Sequence, residues 1–425
     1  MFEQNRTDAM LAVDVLIIGA GPGGIAAAVT AAHYGKSVLL VDDGPDAGGQ
    51  IWRAQSRKPS NPQAQHWLSR VTHANITRWF NTRFVRREHR AWYFADLTAL
   101  RGVRATHIIL ATGAREIFLP FPGWTLPQVC GAGGLQALIK NGLNVQGQRI
   151  VIAGTGPLLL ATADTAKRAG AQVLAIVEQA NRWHWLRFGL SLWRFPAKWP
   201  QLWQLTRDLF SIPYWCNAKV IAAEGSSRVQ GVQIQKGRQR ITLDCDWLAC
   251  AYGLQANTDL LSHLSLRTEN GFVVVDAQQR STQQNIFAVG ELTGIGGVDK
   301  ALIEGQIAAL TIAGQATLAR AFVRQRQRQM RFVAALQRFC ALGDEAATAI
   351  AQDCIVCRCE DVRHQQLQNC RDGREARLYT RAGMGACQGR ICGAVCEKIY
   401  GWSPLGQRPS WTALPVKILL QEDKP

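Results

Sequence analysis

The chain has 425 residues, of which 47% are hydrophobic and 19% are charged, and its formal net charge is +17. Two or three domains are expected at this length, and the composition excludes a disordered or fibrous protein. The basic excess favours an acidic protein partner or an anionic small molecule. No nucleic-acid-binding module accompanies the charge, so we expect no nucleic acid partner.

The N-terminal residues carry charges and have no signal-peptide layout. The run from Val15 to Ala32 is uncharged, but four glycines and a proline divide it into a strand, a turn and a helix. We therefore expect no transmembrane segment, and peripheral membrane contact is left open. The cysteines cluster late in the chain, which favours a cytoplasmic location over a disulfide-linked scaffold.

The first predicted elements form a βαβ unit. Val15–Ile18 is an apolar, β-branched run typical of a buried parallel strand, and Gly23–Tyr34 is Ala-rich and helical. Ser37–Val41 is a second strand that ends at Asp42. This order of elements is typical of a dinucleotide-binding domain.

Residues 19–24 fit the pattern G-x-G-x-x-G between that strand and that helix. Gly19 permits the tight turn, Gly21 lets the backbone approach a diphosphate, and Gly24 allows close packing of helix and strand. The diphosphate would lie at the helix N-terminus, where unpaired N–H groups favour negative charge. Asp42, about twenty residues further on, is predicted to accept the ribose hydroxyls.

Further segments identify the nucleotide as FAD. Thr112 and Gly113 follow an apolar run, and Gly290-Glu291 follows the predicted strand Ile286–Val289. The latter resembles the second FAD signature of two-dinucleotide-domain flavoproteins, in which an acid after glycine binds the ribityl chain. That acid is usually aspartate, so Glu291 departs from the signature.

The turn Gly48-Gly49-Gln50-Ile51 resembles the flavin-contacting turn of thioredoxin-reductase-like enzymes. Gly49 and Gln50 are therefore predicted to contribute to the same FAD site.

The βαβ pattern recurs later in the chain. Arg149–Ala153 is a predicted strand, a helix extends through Arg168, and the next strand, Val173–Val177, ends at Glu178. An internal repeat of the nucleotide-binding unit is the simplest interpretation.

The second glycine motif is incomplete. Gly154 and Gly156 match the first two glycines, but Leu159 occupies the position of the third. Glu178 would favour NAD over NADP by repelling a 2′-phosphate. Whether this site binds NAD(H), or is a relic that holds an adenine nucleotide or nothing, stays open.

After this repeat, the sequence predicts strands between Lys219 and Ala251 and at Phe272–Val275, then helices at Leu302–Ala313 and Arg320–Leu342. The segment 183–203 is rich in Trp and basic residues. It could bury its aromatics within the protein or form a membrane-surface patch or a subunit interface, and docking of a partner is the preferred functional interpretation.

Four cysteines near the C-terminus, on Gly-rich turns, have the spacing C-x-C…C-x4-C: Cys357, Cys359, Cys387 and Cys392. Thiolates at this spacing favour an iron–sulfur cluster over zinc. The pair Cys354 and Cys357 is a less favoured choice of ligands or dithiol. The remaining cysteines are expected to pack as small apolar residues.

Seven segments together resemble one family, that of the A subunits of bacterial opine (octopine/nopaline) oxidases, with the flavin subunit of hydrogen cyanide synthase and hydroxyproline dehydrogenase subunits. The C-terminal part resembles a [2Fe-2S] domain of the bacterioferritin-associated-ferredoxin type. The segments are Gly19–Gly24, Gly48–Ile51, Ala111–Glu116, Pro120–Trp124, Gly290–Asp299, Cys357–Cys359 and Cys387–Cys392.

The resemblance implies FAD and [2Fe-2S] cofactors, a separate flavoprotein subunit that oxidises the amine and, in many members, a small ferredoxin-like subunit. The substrate would be a small amine such as an opine or imino acid. A self-sufficient NAD(P)H-dependent reductase is the alternative enzyme, and a non-catalytic assembly subunit that binds zinc is a third hypothesis.

The predicted fold is α/β, with two Rossmann-like domains and a small helical [2Fe-2S] domain. The predicted boundaries are 11–124 and 266–345 for the FAD-binding domain, 125–265 for an inserted NAD(P)-binding-like domain, 350–402 for the [2Fe-2S] domain and 403–425 for a tail.

Overall fold

The computed structural model describes residues 10–183, 187, 189, 193, 195, 207, 209–339, 350–402 and 414–419. Within these residues the chain divides into two units. The first contains the described residues up to Arg115, Ala256–Val333 and the described residues after 406. The second contains the described residues of 116–255 and 334–406.

Strands and helices alternate along most of the described chain. The strands, in chain order, are β1 (Leu11–Ile18), β2 (Val38–Val41), β3 (Ile76–Trp79), β4 (Arg83–Glu88), β5 (Ala91–Ala95), β6 (Leu100–Leu110), β7 (Ala114–Glu116), β8 (Val129–Gly131), β9 (Arg149–Gly154), β10 (Gln172–Glu178), β11 (Tyr214–Trp215), β12 (Ala218–Glu224), β13 (Gly231–Lys236), β14 (Gln239–Asp244), β15 (Trp247–Ala251), β16 (Leu254–Ala256), β17 (Thr268–Glu269), β18 (Phe272–Val273), β19 (Ile286–Ala288), β20 (Ile355–Cys357) and β21 (Val362–Arg363).

The described helices are also numbered in chain order. They are α1 (Pro22–His33), α2 (Pro62–Leu68), α3 (Ala132–Lys140), α4 (Pro157–Arg168), α5 (Gly297–Ile312), α6 (Ala316–Phe339), α7 (His364–Leu367), α8 (Gly373–Thr380), α9 (Cys392–Tyr400) and α10 (Val416–Leu419), with short 3-10 helices at Asp259–His263 and Gly290–Thr293.

The first unit is built on a seven-stranded sheet with the order β3-β2-β1-β6-β5-β4, in which β19 also pairs with β6. Strands β1, β2, β3, β6 and β19 run parallel to one another, whereas β5 pairs antiparallel with both β4 and β6. The last four residues of β1 are buried, as expected for a parallel strand covered on both faces. Helix α1 packs closely on α5, because a Cβ at Gly305 would lie only 2.2 Å from the Gly23 carbonyl oxygen.

The second unit contains a five-stranded parallel sheet, with the order β11-β10-β9-β15-β8, and a three-stranded antiparallel sheet, β12-β13-β14. The cysteine-rich end adds the β20–β21 hairpin and helices α7, α8 and α9 around a small core that includes Leu367 and Val395. Cys354 packs into the core of the nucleotide-binding fold, and the Trp124 indole N–H donates to the Ile355 carbonyl at 2.6 Å. This end of the chain is therefore joined to the second nucleotide fold by buried contacts.

The predicted βαβ units are confirmed as β1-α1-β2 and β9-α4-β10, and both belong to Rossmann-like folds. The two later helices are also confirmed, as α5 and α6. Most of the Trp-rich segment lies outside the described residues, as does Cys340. Trp183 and Trp193 are described, and their side chains are 59% and 67% exposed. None of the described helices has the length and apolar content needed to cross a membrane.

Candidate cofactor sites

The predicted FAD residues of the first unit follow neighbouring parallel strands. Gly19 follows β1, Asp42 follows β2, Thr112 lies just after β6 and Gly290 just after β19. Because these strands are adjacent and parallel, their carboxyl ends meet at one edge of the sheet. Open α/β sheets bind ligands at this edge.

Two glycines of the first motif are required by close packing, and the third lies beside open space. A Cβ at Gly19 would lie 2.2 Å from the Ala111 carbonyl oxygen, and one at Gly24 would lie 1.8 Å from the Gly19 carbonyl oxygen. A Cβ at Gly21 would meet no atom within 4 Å. The space over Gly21 is where a dinucleotide diphosphate approaches the backbone.

Asp42 orders the glycine-rich turn. Its Oδ2 accepts a hydrogen bond from the Ala20 backbone N–H at 2.5 Å, and its Oδ1 accepts one from Gly44 at 2.7 Å. Burial raises the pKa of this carboxyl above its usual value, although both hydrogen bonds lower it. Contact with ribose hydroxyls stays a prediction.

The turn at 48–50 lies against the glycine motif. Gly48 donates its N–H to the Ala20 carbonyl at 2.8 Å, and a Cβ at Gly49 would lie 2.9 Å from the Cα of Gly21. The Gln50 side chain is exposed and accepts a hydrogen bond from Arg53. Gly49 and Gln50 thus lie beside the open space over Gly21.

The Thr112-Gly113 segment is held by Asn257, a residue that no sequence motif indicates. The Asn257 side chain donates to the Thr112 carbonyl at 2.8 Å, and its backbone N–H donates to the Gly113 carbonyl at 2.9 Å. The Thr112 hydroxyl donates to the Asn257 carbonyl at 2.9 Å. The two segments are far apart in sequence, so no local pattern could have revealed this pairing.

Glu291 binds the turn that leads into helix α5. Its two carboxylate oxygens accept hydrogen bonds from the Gly296 and Gly297 N–H groups, each at 2.8 Å. Burial raises the pKa of this carboxyl, and the two hydrogen bonds oppose the shift. Negative charge is favourable at this position near a helix N-terminus. The predicted contact with a ribityl chain stays a prediction.

A buried ionic network lies beneath Glu291, and the sequence pattern did not predict it. Lys300 and Glu304 are 1% and 0% exposed, and the Lys300 ammonium lies 2.8 Å from the Glu304 carboxylate. Burial lowers the pKa of Lys300, and Glu304 opposes that shift. In the sequence, a lysine and a glutamate four residues apart on a helix are typical of an exposed surface pair. Only the packing of α5 reveals that this pair is buried.

The second glycine motif has a different environment. Gly154 is required by packing, because a Cβ there would lie 1.9 Å from the Ala251 carbonyl oxygen. The Glu178 side chain has no exposed surface, and its carboxylate accepts hydrogen bonds from Gly156 N–H at 3.1 Å and from the Tyr214 hydroxyl at 3.1 Å. Burial raises the pKa of Glu178, although its hydrogen bonds lower it. Leu159 is fully buried in the core of this unit.

The four cysteines chosen as metal ligands come together in two pairs. The Cys392 thiol is the main cause of the raised pKa of Cys357, which places the two thiols next to each other, and both side chains are buried. Cys359 is exposed and lies beside the half-buried Cys387, whose backbone N–H and thiol both affect the pKa of Cys359. Among the residues that the structure describes, no three or more His, Cys, Asp or Glu side chains are grouped to hold a single metal ion.

Backbone groups of a glycine-rich turn surround these thiols. The Gly383 N–H donates to the Cys357 sulfur at 3.5 Å, and Gly383 adopts a positive φ of 77°. A Cβ at Gly385 would lie 2.3 Å from the Cys359 Cβ, so only glycine fits there. The turn therefore approaches the thiols closely and presents N–H donors of the kind that stabilise charged sulfur.

Cys396 lies beside Cys392, because its thiol contributes to the raised pKa of Cys392. Cys245 and Cys250 are buried in the core, whereas Cys130, Cys216 and Cys370 are only partly buried. Burial raises the pKa of Cys245 to about 12, so this thiol stays protonated and unreactive near neutral pH.

Two Rossmann-like folds in one chain, with an open glycine-rich turn at the carboxyl edge of the first, define a flavin-dependent oxidoreductase. The chain belongs to the pyridine nucleotide-disulphide oxidoreductase family, whose sequence model matches residues 13–316.

Individual relatives cover most of the chain. It is 29% identical to the hydrogen cyanide synthase subunit HcnB of Pseudomonas aeruginosa, over 90% of this chain and 91% of that protein. It is 28% identical to the A subunit of opine oxidase from Rhizobium meliloti, over 91% of this chain and 81% of that protein. The fold also matches the crystal structure of L-proline dehydrogenase from P. horikoshii, with a TM-score of 0.65 at 18% identity, over 96% of this chain and 77% of that one.

These findings confirm the resemblance to the opine oxidase and hydrogen cyanide synthase subunits. Both relatives are named as subunits of larger enzymes. The comparison with the solved structure supports the fold alone.

Proposed function

We propose that this chain is the FAD- and [2Fe-2S]-containing electron-transfer subunit of a heteromeric amine dehydrogenase. Its substrate would be an opine, an imino acid or a similar amino-acid derivative. The observation that carries the proposal is that one chain combines a flavin-type sheet edge with four thiols that lie in two pairs beside a glycine-rich turn. The name of opine oxidase supports an opine-like substrate, and both relatives are named as enzyme subunits.

In this proposal the first unit binds FAD. Gly21 leaves room for the diphosphate, and Asp42 holds the glycine motif in its turn conformation. Glu291 follows β19, which ends at the same edge of the sheet. Gly49, Gln50, Thr112 and Gly113 complete the set of residues assigned to FAD. A bound flavin supplies two-electron chemistry, and a bound iron–sulfur cluster supplies one-electron chemistry.

The cysteine group fits a two-iron cluster better than a single metal ion. A [2Fe-2S] cluster is held by four thiolates, two for each iron. Two separate pairs of thiols suit this arrangement, and they also account for the lack of a single-ion site in the described part of the chain. Cys357 and Cys392 would bind one iron, and Cys359 and Cys387 the other. Because Cys359 is exposed, the side of the cluster that it binds would be accessible to a redox partner.

We further propose that electrons reach this chain from a flavoprotein subunit that oxidises the amine, and that a small ferredoxin-like subunit is an additional partner. The described cysteines are free thiols, which supports a location in the cytoplasm.

The alternative function, an NAD(P)H-dependent reductase, is disfavoured by Glu178. A side chain with no exposed surface offers a ribose no access, whereas Asp42 of the first motif is partly exposed. We therefore expect NADH alone to leave the flavin oxidised. Rapid bleaching of the flavin by NADH, without other subunits, would favour the alternative.

The cluster assignment is tested by replacing Cys387 with serine. Anaerobically purified Cys387→Ser should lose iron and acid-labile sulfide but keep FAD, because the ligand and flavin residues belong to different units. Cys370→Ser is the matched control, since the Cys370 thiol hydrogen-bonds only the Gln366 carbonyl among the contacts described for it. Unchanged iron in Cys387→Ser, or zinc in the wild-type protein, would contradict the assignment.

The subunit role is tested by purification of the chain with its co-expressed partners. The complex should reduce its flavin with an opine or imino acid, whereas the isolated chain should not. Reduction by the isolated chain would show that the substrate site lies within it.

A further inference from the structure

The buried pair of Lys300 and Glu304 lies within helix α5, where it forms part of a three-residue ionic network. Glu304 Oε2 accepts from the Lys300 ammonium at 2.8 Å, and Glu304 Oε1 accepts from the Arg326 guanidinium on α6 at 2.6 Å. A buried ion pair is weak evidence for stability, because desolvation of the charges offsets their attraction. The network therefore calls for a role beyond holding α5 in place.

Both ions of the pair bind the backbone of Gly290. The Lys300 ammonium donates to the Gly290 carbonyl at 2.7 Å, and the Gly290 N–H donates to Glu304 Oε2 at 2.9 Å. The Thr293 hydroxyl lies 2.8 Å from each charged group and closes the network. Gly290 has a φ of 74°, so the loop passes through the left-handed region at this residue.

The next residue, Glu291, binds the N–H groups of Gly296 and Gly297 at the start of the helix that carries Lys300. The Lys300 stem also packs against this turn, since a Cβ at Gly296 would lie 2.2 Å from the Lys300 Cδ. The loop from Gly290 to Gly297 is thus held at its first residue by charges and at its last residues by Glu291.

We propose that Lys300 and Glu304 are positioning residues for FAD binding, because they hold both backbone polar groups of Gly290 and so fix the direction in which Glu291 enters the cofactor site. This inference rests on the proposed assignment of Gly290 and Glu291 to FAD. Neither side chain contacts the cofactor in this role, since both are buried beneath the loop.

The test separates positioning from stability. The double variant Lys300→Met/Glu304→Leu removes both charges together, and such apolar replacements of buried ion pairs are often neutral for stability. We expect its FAD dissociation constant to rise at least about tenfold, which is the effect of losing one or two charge-assisted hydrogen bonds that hold the loop. Here, however, Gly290 loses its side-chain partners and Arg326 its carboxylate, so the apoprotein should also unfold at a lower temperature, and FAD affinity is measured where the apoprotein is still folded.

Two further variants serve as matched comparisons. Arg326→Met removes the third member of the network without touching Gly290, so its FAD affinity should stay within about twofold of the wild type. Glu304→Gln keeps an oxygen that can accept the Gly290 N–H, so it should keep most of the FAD affinity.

If the double variant does not fold, Lys300→Met replaces it, because Glu304 remains paired with Arg326. Wild-type FAD affinity in the double variant, or in Lys300→Met, would overturn the inference. An equal loss of FAD affinity in Arg326→Met would also overturn the inference, because the network would then affect FAD binding only through the stability of the fold. Failure of the wild-type protein to bind FAD would instead refute the proposed function.

Discussion

Replacement of Gly21 by leucine tests the FAD site without disturbing the fold. Gly21 has a φ of −74°, which any L-residue can adopt, and a Cβ there would meet no protein atom within 4 Å. The free energy of unfolding of the variant apoprotein should therefore lie within about 0.5 kcal/mol of the wild-type value, as is usual for substitutions that meet no neighbouring group.

The same substitution should abolish tight FAD binding. The leucine side chain would fill the open space over the glycine motif, where the diphosphate must approach the backbone. We expect at least a 100-fold loss of affinity, about 2.8 kcal/mol at 1.4 kcal/mol per tenfold. Titration of the apoprotein with FAD, followed by flavin fluorescence, measures this change.

Gly24→Ala is the matched control in the same motif. Its Cβ would lie 1.8 Å from the Gly19 carbonyl oxygen, so helix α1 must shift, at a cost of about 1–3 kcal/mol even without cofactor. Denaturant unfolding of the two variant apoproteins should therefore show a lower free energy of unfolding for Gly24→Ala than for Gly21→Leu. Stoichiometric yellow flavin in purified Gly21→Leu would refute the placement of the diphosphate.

Other predictions concern the second unit. Trp124→Phe should destabilise it by about 1–3 kcal/mol, because the Ile355 carbonyl would lose its buried donor, and denaturant unfolding measures the loss. Leu159→Ala should lower the free energy of unfolding by about 2–5 kcal/mol, since the side chain is fully buried. Titration of this variant with NADH should detect no binding. Burial raises the pKa of Glu178, so the folded state holds this proton more tightly than the unfolded chain, and stability should rise as pH falls through that raised pKa towards about 4.5. Glu178→Gln should flatten this part of the pH profile of unfolding; an unchanged slope would contradict the assignment.

Local patterns were sufficient to predict both nucleotide-binding folds. The strand before Gly19, the helix after Gly24 and the acid at Asp42 form a pattern that spans few residues, and each part depends on local backbone preferences. The same holds for β9, α4 and β10 around Gly154. Element ends moved by only a few residues, because helices and strands end where turn geometry and capping allow.

The four cysteines were also chosen from spacing, and the structure brings them together in two pairs. Which thiols pair could not be read from the sequence, since Cys357 meets Cys392 rather than its near neighbour Cys359. That choice depends on how β20 and α9 pack, which local sequence does not encode.

The amino-acid sequence by itself determined the class of the protein, because glycines and acids at short spacings carry the chemistry of dinucleotide binding. The tertiary structure alone decided which charged groups are buried. Glu178 was predicted at a nucleotide site and Lys300 has the spacing of a surface pair, yet both lie in the interior. The physical reason is that burial and hydrogen-bond partners depend on segments further along the chain, such as Tyr214 for Glu178 and Arg326 for Glu304, whose approach is set by packing.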